Sequence, residues 1–122
     1  MAMKFFFFDL ETTGVDHTIH GIWQIAAIIE TPTETREVNL KVRPRADKVI
    51  EDEAIAIGGV TREELAAFPI DRYIYLALVA VLATYVDRYD KTDKFFLCGY
   101  NNTGFDNKFL RRFFEDNGDK YF

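Results

Sequence analysis

Runs of apolar and polar positions divide the chain into short segments whose spacing predicts the elements. Phe5 to Phe8 is an unbroken apolar run that stops at Asp9, the pattern of a buried central strand. Adjacent strand residues point to opposite faces, so four consecutive phenylalanines predict that both faces are covered. Ile22 to Ile29 is apolar and rich in β-branched residues, and Val38 to Val42 alternates apolar with polar, so both read as strands. Val15 to Gly21 forms the first loop, and Thr31-Pro32-Thr33-Glu34-Thr35 supplies turn chemistry for the second. Three strands in succession predict an antiparallel meander. Beyond Pro44 the chain is charged and irregular as far as Thr61-Arg62-Glu63-Glu64, a capping box that opens a short helix interrupted by Pro69. Asp71 to about Tyr89 predicts a longer helix, apolar around most of its circumference. Phe95 to Cys98 returns to strand character. A polar loop, Gly99 to Gly104, leads into an amphipathic helix from Phe105 to Asn117. Its apolar side carries Phe105, Phe109, Leu110, Phe113 and Phe114, and Asn117-Gly118 suits its end. The order βββ, α, β, α predicts an α/β or α+β arrangement with a mixed sheet and loops meeting at one end.

Composition narrows what such a fold is able to do. At 122 residues and 48% apolar content the chain is expected to form a single domain, 1–122, with no repeat or interdomain linker. Its net charge of −5 gives no overall basic field, so a polyanionic partner would have to be held by local cations and metals. Two basic clusters exist, Lys41, Arg43, Arg45 and Lys48 in one and Lys108, Arg111 and Arg112 in the other. Each reads equally well as a solvated face or as a phosphate contact. The single cysteine, Cys98, reads as a buried small hydrophobe, and the absence of a disulfide framework favours a reducing, cytoplasmic setting. No secretory signal is visible. The longest uncharged stretch, Tyr73 to Val86, is too short to span a membrane.

Candidate chemistry begins where the first apolar run stops. Asp9 and Glu11 lie two residues apart, so a strand would project both carboxylates from one side. Two anions held that close repel each other, and the remedies at neutral pH are a raised pKa on one of them or a bound hard cation. An isolated Asp-x-Glu is common and usually marks nothing more than a surface strand end. Here it runs into Thr12-Thr13-Gly14 after a buried strand, and a second polar motif follows about 95 residues later.

Together these segments resemble the DnaQ-like 3′-to-5′ exonucleases of the DEDD superfamily. Phe8-Asp9-Leu10-Glu11-Thr12-Thr13-Gly14 is similar to the first motif of that family. Gly99-Tyr100-Asn101-Asn102-Thr103-Gly104-Phe105-Asp106 is similar to the second, with either Asn101 or Asn102 as its asparagine. Gln24-Ile25-Ala26 resembles the second strand of the family, and Gly59 to Leu65 its loop and short helix. The resemblance implies a ribonuclease H-like, three-layer α/β fold with a mixed central sheet flanked by helices. It also implies a two-metal hydrolysis of phosphodiesters at single-stranded DNA or RNA 3′ ends, with two Mg²⁺ or Mn²⁺ ions. In that scheme Asp9 bridges both ions, Glu11 holds one of them and contacts the terminal sugar, and Asp106 serves the leaving-group side. Leu10, Thr12, Thr13, Asn101, Asn102 and Phe105 would contact substrate. The three carboxylates are expected to converge in one cleft, and a polymerase or repair assembly is a possible setting.

One part of the family pattern has no counterpart here. A third motif, His-x4-Asp or Tyr-x3-Asp, should follow the second, but Asp116 and Asp119 lack a His or Tyr at the required distance. Tyr89 and Asp93 have the spacing but precede the second motif. The chain therefore reads as an exonuclease domain cut short, with its C-terminal part missing and little activity by itself. The alternative is a catalytically inactive nucleic-acid or protein binding module of exonuclease ancestry. An unrelated scaffold would leave Asp9, Glu11 and Asp106 unexplained. His17 and His20, in the first loop, read as solvated or structural rather than as a displaced catalytic base.

Overall fold

In the computed structural model of the chain, residues 3–99 and 105–120 are described. Four strands, β1 (Phe5–Thr12), β2 (Ile22–Glu30), β3 (Thr35–Lys41) and β4 (Phe96–Gly99), form one sheet in the order β3-β2-β1-β4. The helices are α1 (Asp52–Gly58), α2 (Arg62–Ala67), α3 (Asp71–Ala83) and α4 (Phe105–Asp116). β1, β2 and β3 pair antiparallel, as the short connections require, with Leu10 opposite Ile25 and Ile25 opposite Leu40. β4 lies parallel to β1, with Phe8 opposite Gly99. A parallel neighbour needs a crossover, and α1, α2 and α3 supply it. The sheet is therefore mixed, as predicted.

Period two along β1 builds the core. Phe6, Phe8 and Leu10 lie on one face beside Ile29, Ala27 and Ile25 of β2, and all six are buried. Against them pack Ile74, Tyr75, Leu78 and Leu82 of α3 and Phe109, Leu110, Phe113 and Phe114 of α4. The apolar stripe predicted for α4 is the one it buries, with Phe105 half-buried at its start. On the other face Phe7 is 39% exposed, as are Ile28 at 41% and Phe96 at 45%. The expectation that both faces of β1 are covered is thus corrected: the strand is central in the sheet, but α3 and α4 both pack on one side of it. Cys98, in register with Phe7, shares this open face and is half-buried rather than a core residue.

Two further differences from the sequence reading have local causes. α3 ends at Ala83 instead of near Tyr89, because Asp and Thr side chains beyond it compete for the backbone. Thr84 donates its hydroxyl to Ala80 O at 3.0 Å, Asp93 accepts the Asp87 N–H at 2.9 Å, and Asp87 accepts the Tyr89 N–H at 2.9 Å. α1 falls in the stretch read as irregular. It buries Ile55 alone, while Ile57 is 89% exposed, so its pattern carries little periodic signal. Its burial is against a second cluster, Trp23 with Val60 and Leu65, and Gly58 sits so close to Trp23 that a Cβ would lie 2.5 Å from the ring. The capping box of α2 forms as predicted, with both reciprocal hydrogen bonds at 3.1 Å. Among the described residues no helix is long and apolar enough to cross a membrane.

Candidate active site

At the end of β1 the pleat that buries Leu10 turns Asp9 and Glu11 to the open face, in register with Ala26 and Gln24 of β2. Asp9 is exposed and Glu11 half-buried. Glu11 loses hydration by burial and faces the neighbouring Asp9, and these push its carboxyl above the ordinary value; Lys41 pulls it part of the way back. The same-face pair inferred from the i, i+2 spacing is therefore electrostatically coupled. Both side chains offer hard oxygen donors only, which suits a divalent cation of the Mg²⁺ or Mn²⁺ class.

The turn that follows is fixed by buried hydrogen bonds. The register shifts between Glu11 and Thr12, ending the ladder. Thr13 is fully buried: its hydroxyl donates to Val49 O at 2.7 Å and accepts the Gly21 N–H at 3.0 Å. Its own N–H donates to Gly21 O and its carbonyl accepts from Glu51 N–H, both at 2.9 Å. Thr12 donates its hydroxyl to Gly14 O at 2.7 Å. His20 lies under Gly14, whose added Cβ would meet the ring at 2.4 Å. Its Nδ1 accepts the Asp16 N–H at 3.0 Å, leaving Nε2 to face Glu51 Oε1 at 2.9 Å. Buried, held through Nδ1 and with Nε2 set beside the Glu51 carboxylate, His20 underpins the turn, in keeping with the structural reading of that residue. His17 sets its ring edge-on to Phe109, with centroids 6.3 Å apart.

Not every predicted site residue offers a side chain to a ligand. Leu10 points into the core, so its backbone alone reaches the open face, and the Thr13 hydroxyl is committed to the turn. Phe105 is half-buried, its ring 4.9 Å from that of Phe109. Asp106 is 1% exposed in the first turn of α4, where the helix dipole favours an anion. β4 delivers the chain to this end of the sheet, because Gly99 is paired with Phe8, next to Asp9. Asn101 and Asn102 fall between β4 and α4, outside the described residues. Among the described residues no three His, Cys, Asp or Glu side chains gather as a metal-holding group. The structure brings Asp9 and Glu11 to one face of the sheet and sets Asp106, buried, at the start of the helix that follows β4.

Two features of the site escaped the sequence reading. The His20–Glu51 contact joins positions far apart in sequence, and only the loop geometry reveals it. Lys41 lies directly across from Gln24, which lies across from Glu11, so one row of the sheet runs from carboxylate to ammonium. That row becomes visible only once the register of three strands is known.

The family model RNase_T, described as exonuclease, matches residues 6–122. Among solved structures the chain is similar to exonuclease I without ligand, with 27% identity and a TM-score of 0.76 over 98% of this chain and 26% of that one. It is similar as well to E. coli exonuclease I in complex with a dA16 oligonucleotide, at 27% identity and a TM-score of 0.75 over 98% of this chain and 25% of that one. For the E. coli enzyme with a dT13 oligonucleotide the values are 27% and 0.73, over 98% and 25%. The chain thus spans about a quarter of the length of these exonuclease I chains. No curated protein sequence matches it significantly.

Proposed function

Because the chain belongs to the RNase_T exonuclease family, with a DnaQ-like, ribonuclease H-like fold, we propose that it is the catalytic part of a 3′-to-5′ exonuclease acting on single-stranded DNA or RNA ends. The observation that carries this reading is the coupled pair Asp9 and Glu11, held on the open face at the end of a locked strand. In this reading Asp9 and Glu11 would hold divalent ions at the end of β1, and Asp106 would contribute a carboxylate from the start of α4. Such ions, when bound, activate water and neutralise charge on the phosphorane-like transition state. The chain's own contribution is position. The core face of β1 fixes the height of the two carboxylates. The Thr12 to Gly14 turn, tied to Val49, Glu51 and Gly21, holds a rigid backbone edge beside them for the terminal nucleotide. Glu11, hydrogen-bonding the terminal 3′ hydroxyl, would orient the last sugar.

Within these 122 residues no His-x4-Asp or Tyr-x3-Asp follows Asp106. A side chain that orients or deprotonates the attacking water is typically worth about 10²- to 10⁴-fold, so the 122-residue chain is expected to be slower than exonuclease I by that order. The test incubates both proteins with a 5′-labelled single-stranded oligonucleotide in Mg²⁺ or Mn²⁺, and again with EDTA. The expected result is a slow ladder of shortened products that needs metal and vanishes in Asp9→Ala. A ladder at the rate of exonuclease I would mean that the water-orienting group lies elsewhere in these residues. Oligonucleotide binding with no ladder under any metal would move the chain to the binding-module reading.

A further inference from the structure

The basic stretch Lys41, Arg43, Arg45 and Lys48 is one charge cluster in sequence, and the fold separates its members. Arg45 sits 3.0 Å from Asp71 Oδ1. Lys48 has a buried side chain whose Nζ is 2.8 Å from Asp116 Oδ2. Arg43 donates its Nε–H to the Phe68 carbonyl at 3.2 Å. Lys41 alone among the four makes no ion pair or hydrogen bond with the described residues, and its ammonium rests over two aromatic faces instead. It lies 5.0 Å from the centroid of Trp23 and 5.9 Å from that of Phe68, rings that stack on each other at 6.4 Å. Cation–π contact restrains the long side chain without neutralising it.

The position of this cation gives it a use. Lys41, Gln24 and Glu11 form one row on the open face, two strand spacings or about 10 Å across. Between the two ends the floor is polar, with Gln24 donating to Asn39 at 2.9 Å. A phosphodiester strand approaching Asp9 and Glu11 meets two negative charges, and an unneutralised cation in the same row offsets them. We propose that Lys41 binds a backbone phosphate of the substrate strand on the 5′ side of the bond to be cut, and so sets the path by which a single strand enters the site. This rests on the exonuclease reading of Asp9 and Glu11. The span from Glu11 sets Lys41 apart from the terminal nucleotide, so its contact distinguishes a strand from a mononucleotide.

The experiment measures binding of a 5′-fluorescein dT oligonucleotide by fluorescence anisotropy across a salt series, with calcium as a hard, oxygen-binding ion. Four forms of the chain are compared: wild type, Lys41→Gln, Lys41→Arg and Lys108→Gln, the last removing an exposed lysine of the other cluster. Lys41→Gln is expected to weaken binding about 3- to 10-fold and to reduce the salt slope by about 0.7, the loss of one single-strand phosphate contact. Lys41→Arg should keep the wild-type slope, which a purely structural loss would not explain, and Lys108→Gln should change neither quantity as much. If Lys41→Gln binds with wild-type affinity and slope, the role of Lys41 is overturned while the exonuclease reading stands. If the wild-type chain does not bind the oligonucleotide, both fall.

Discussion

Along β1, alternate residues meet opposite surroundings. Phe6, Phe8 and Leu10 are 2%, 3% and 6% exposed beneath α3 and α4, whereas Phe7 and Asp9 on the other side are open to solvent and Glu11 is half-buried. The closed face holds the strand and the open face carries the charges. Two carboxylates that repel each other would spread apart on a flexible segment; here the strand beneath them is locked by core packing on one side and by ladders to β2 and β4 at its edges. The pleat keeps the groups that stabilise the fold from being the groups that face a ligand, so changes on the two faces should have separable effects.

The largest expected difference between the faces is in stability. Phe6→Ala removes a fully buried ring and should cost about 3–5 kcal/mol. Phe7→Ala, one residue along, should cost about 1 kcal/mol because its ring is already partly in water. Urea denaturation of both variants measures this directly. Equal losses would break the comparison and mean that the open face carries core packing of its own.

A smaller effect is expected where the two faces meet the turn. Gly14→Ala places a methyl carbon 2.4 Å from the His20 ring, and because that ring is held by Asp16 and set beside Glu51 it has little room to yield. The expected cost is about 1–3 kcal/mol, the range for overpacking a filled site. His20→Ala in the same chain should recover part of this by opening the space, while losing the support under the turn. Thermal unfolding of the two single variants and the double variant gives the coupling. Purely additive effects would show that the turn relaxes around the methyl group and that His20 does not limit it.

Much of this arrangement was legible in the sequence, for reasons that differ by element. The meander, the amphipathic stripe of α4 and the capping box of α2 rest on local periodicity and local hydrogen bonding, which a sequence carries directly. The shared face of Asp9 and Glu11 follows from the strand period alone. What was not legible depends on long-range placement. α1 owes its burial to Trp23, a strand residue far from it in sequence, and α3 stops early because the Asp87 and Asp93 carboxylates take up backbone N–H groups beyond Ala83. The open side of β1 could not be read from four phenylalanines, since an apolar residue does not reveal whether a layer covers it. Sorting Lys41 from Arg45 and Lys48 required the partners Asp71 and Asp116, which come from α3 and α4.

The smallest expected effect concerns the charge on the open face. In the folded chain the Glu11 carboxyl titrates above its usual value of 4.5, through burial first and Asp9 second. Between the usual value and the raised one the folded state therefore binds more protons than the unfolded state. Stability should accordingly fall as pH rises through that window, and below it the group contributes nothing. At about pH 7 the ionised Glu11 is a net cost in the absence of a cation, so Glu11→Gln should be more stable than wild type by about 0.5 kcal/mol, the usual scale for a partly exposed site. The two stability curves should converge on acidification to about pH 3, well below the usual value, where Glu11 is protonated in both states. Adding Mg²⁺ or Mn²⁺ at neutral pH should stabilise the wild type more than the variant, because a bound cation stabilises only the fold that holds it. Wild-type and variant curves that run parallel from acid to neutral pH would show that Lys41 already offsets the repulsion. A wild-type chain that gained nothing from either metal would show that Asp9 and Glu11 do not hold one in these 122 residues.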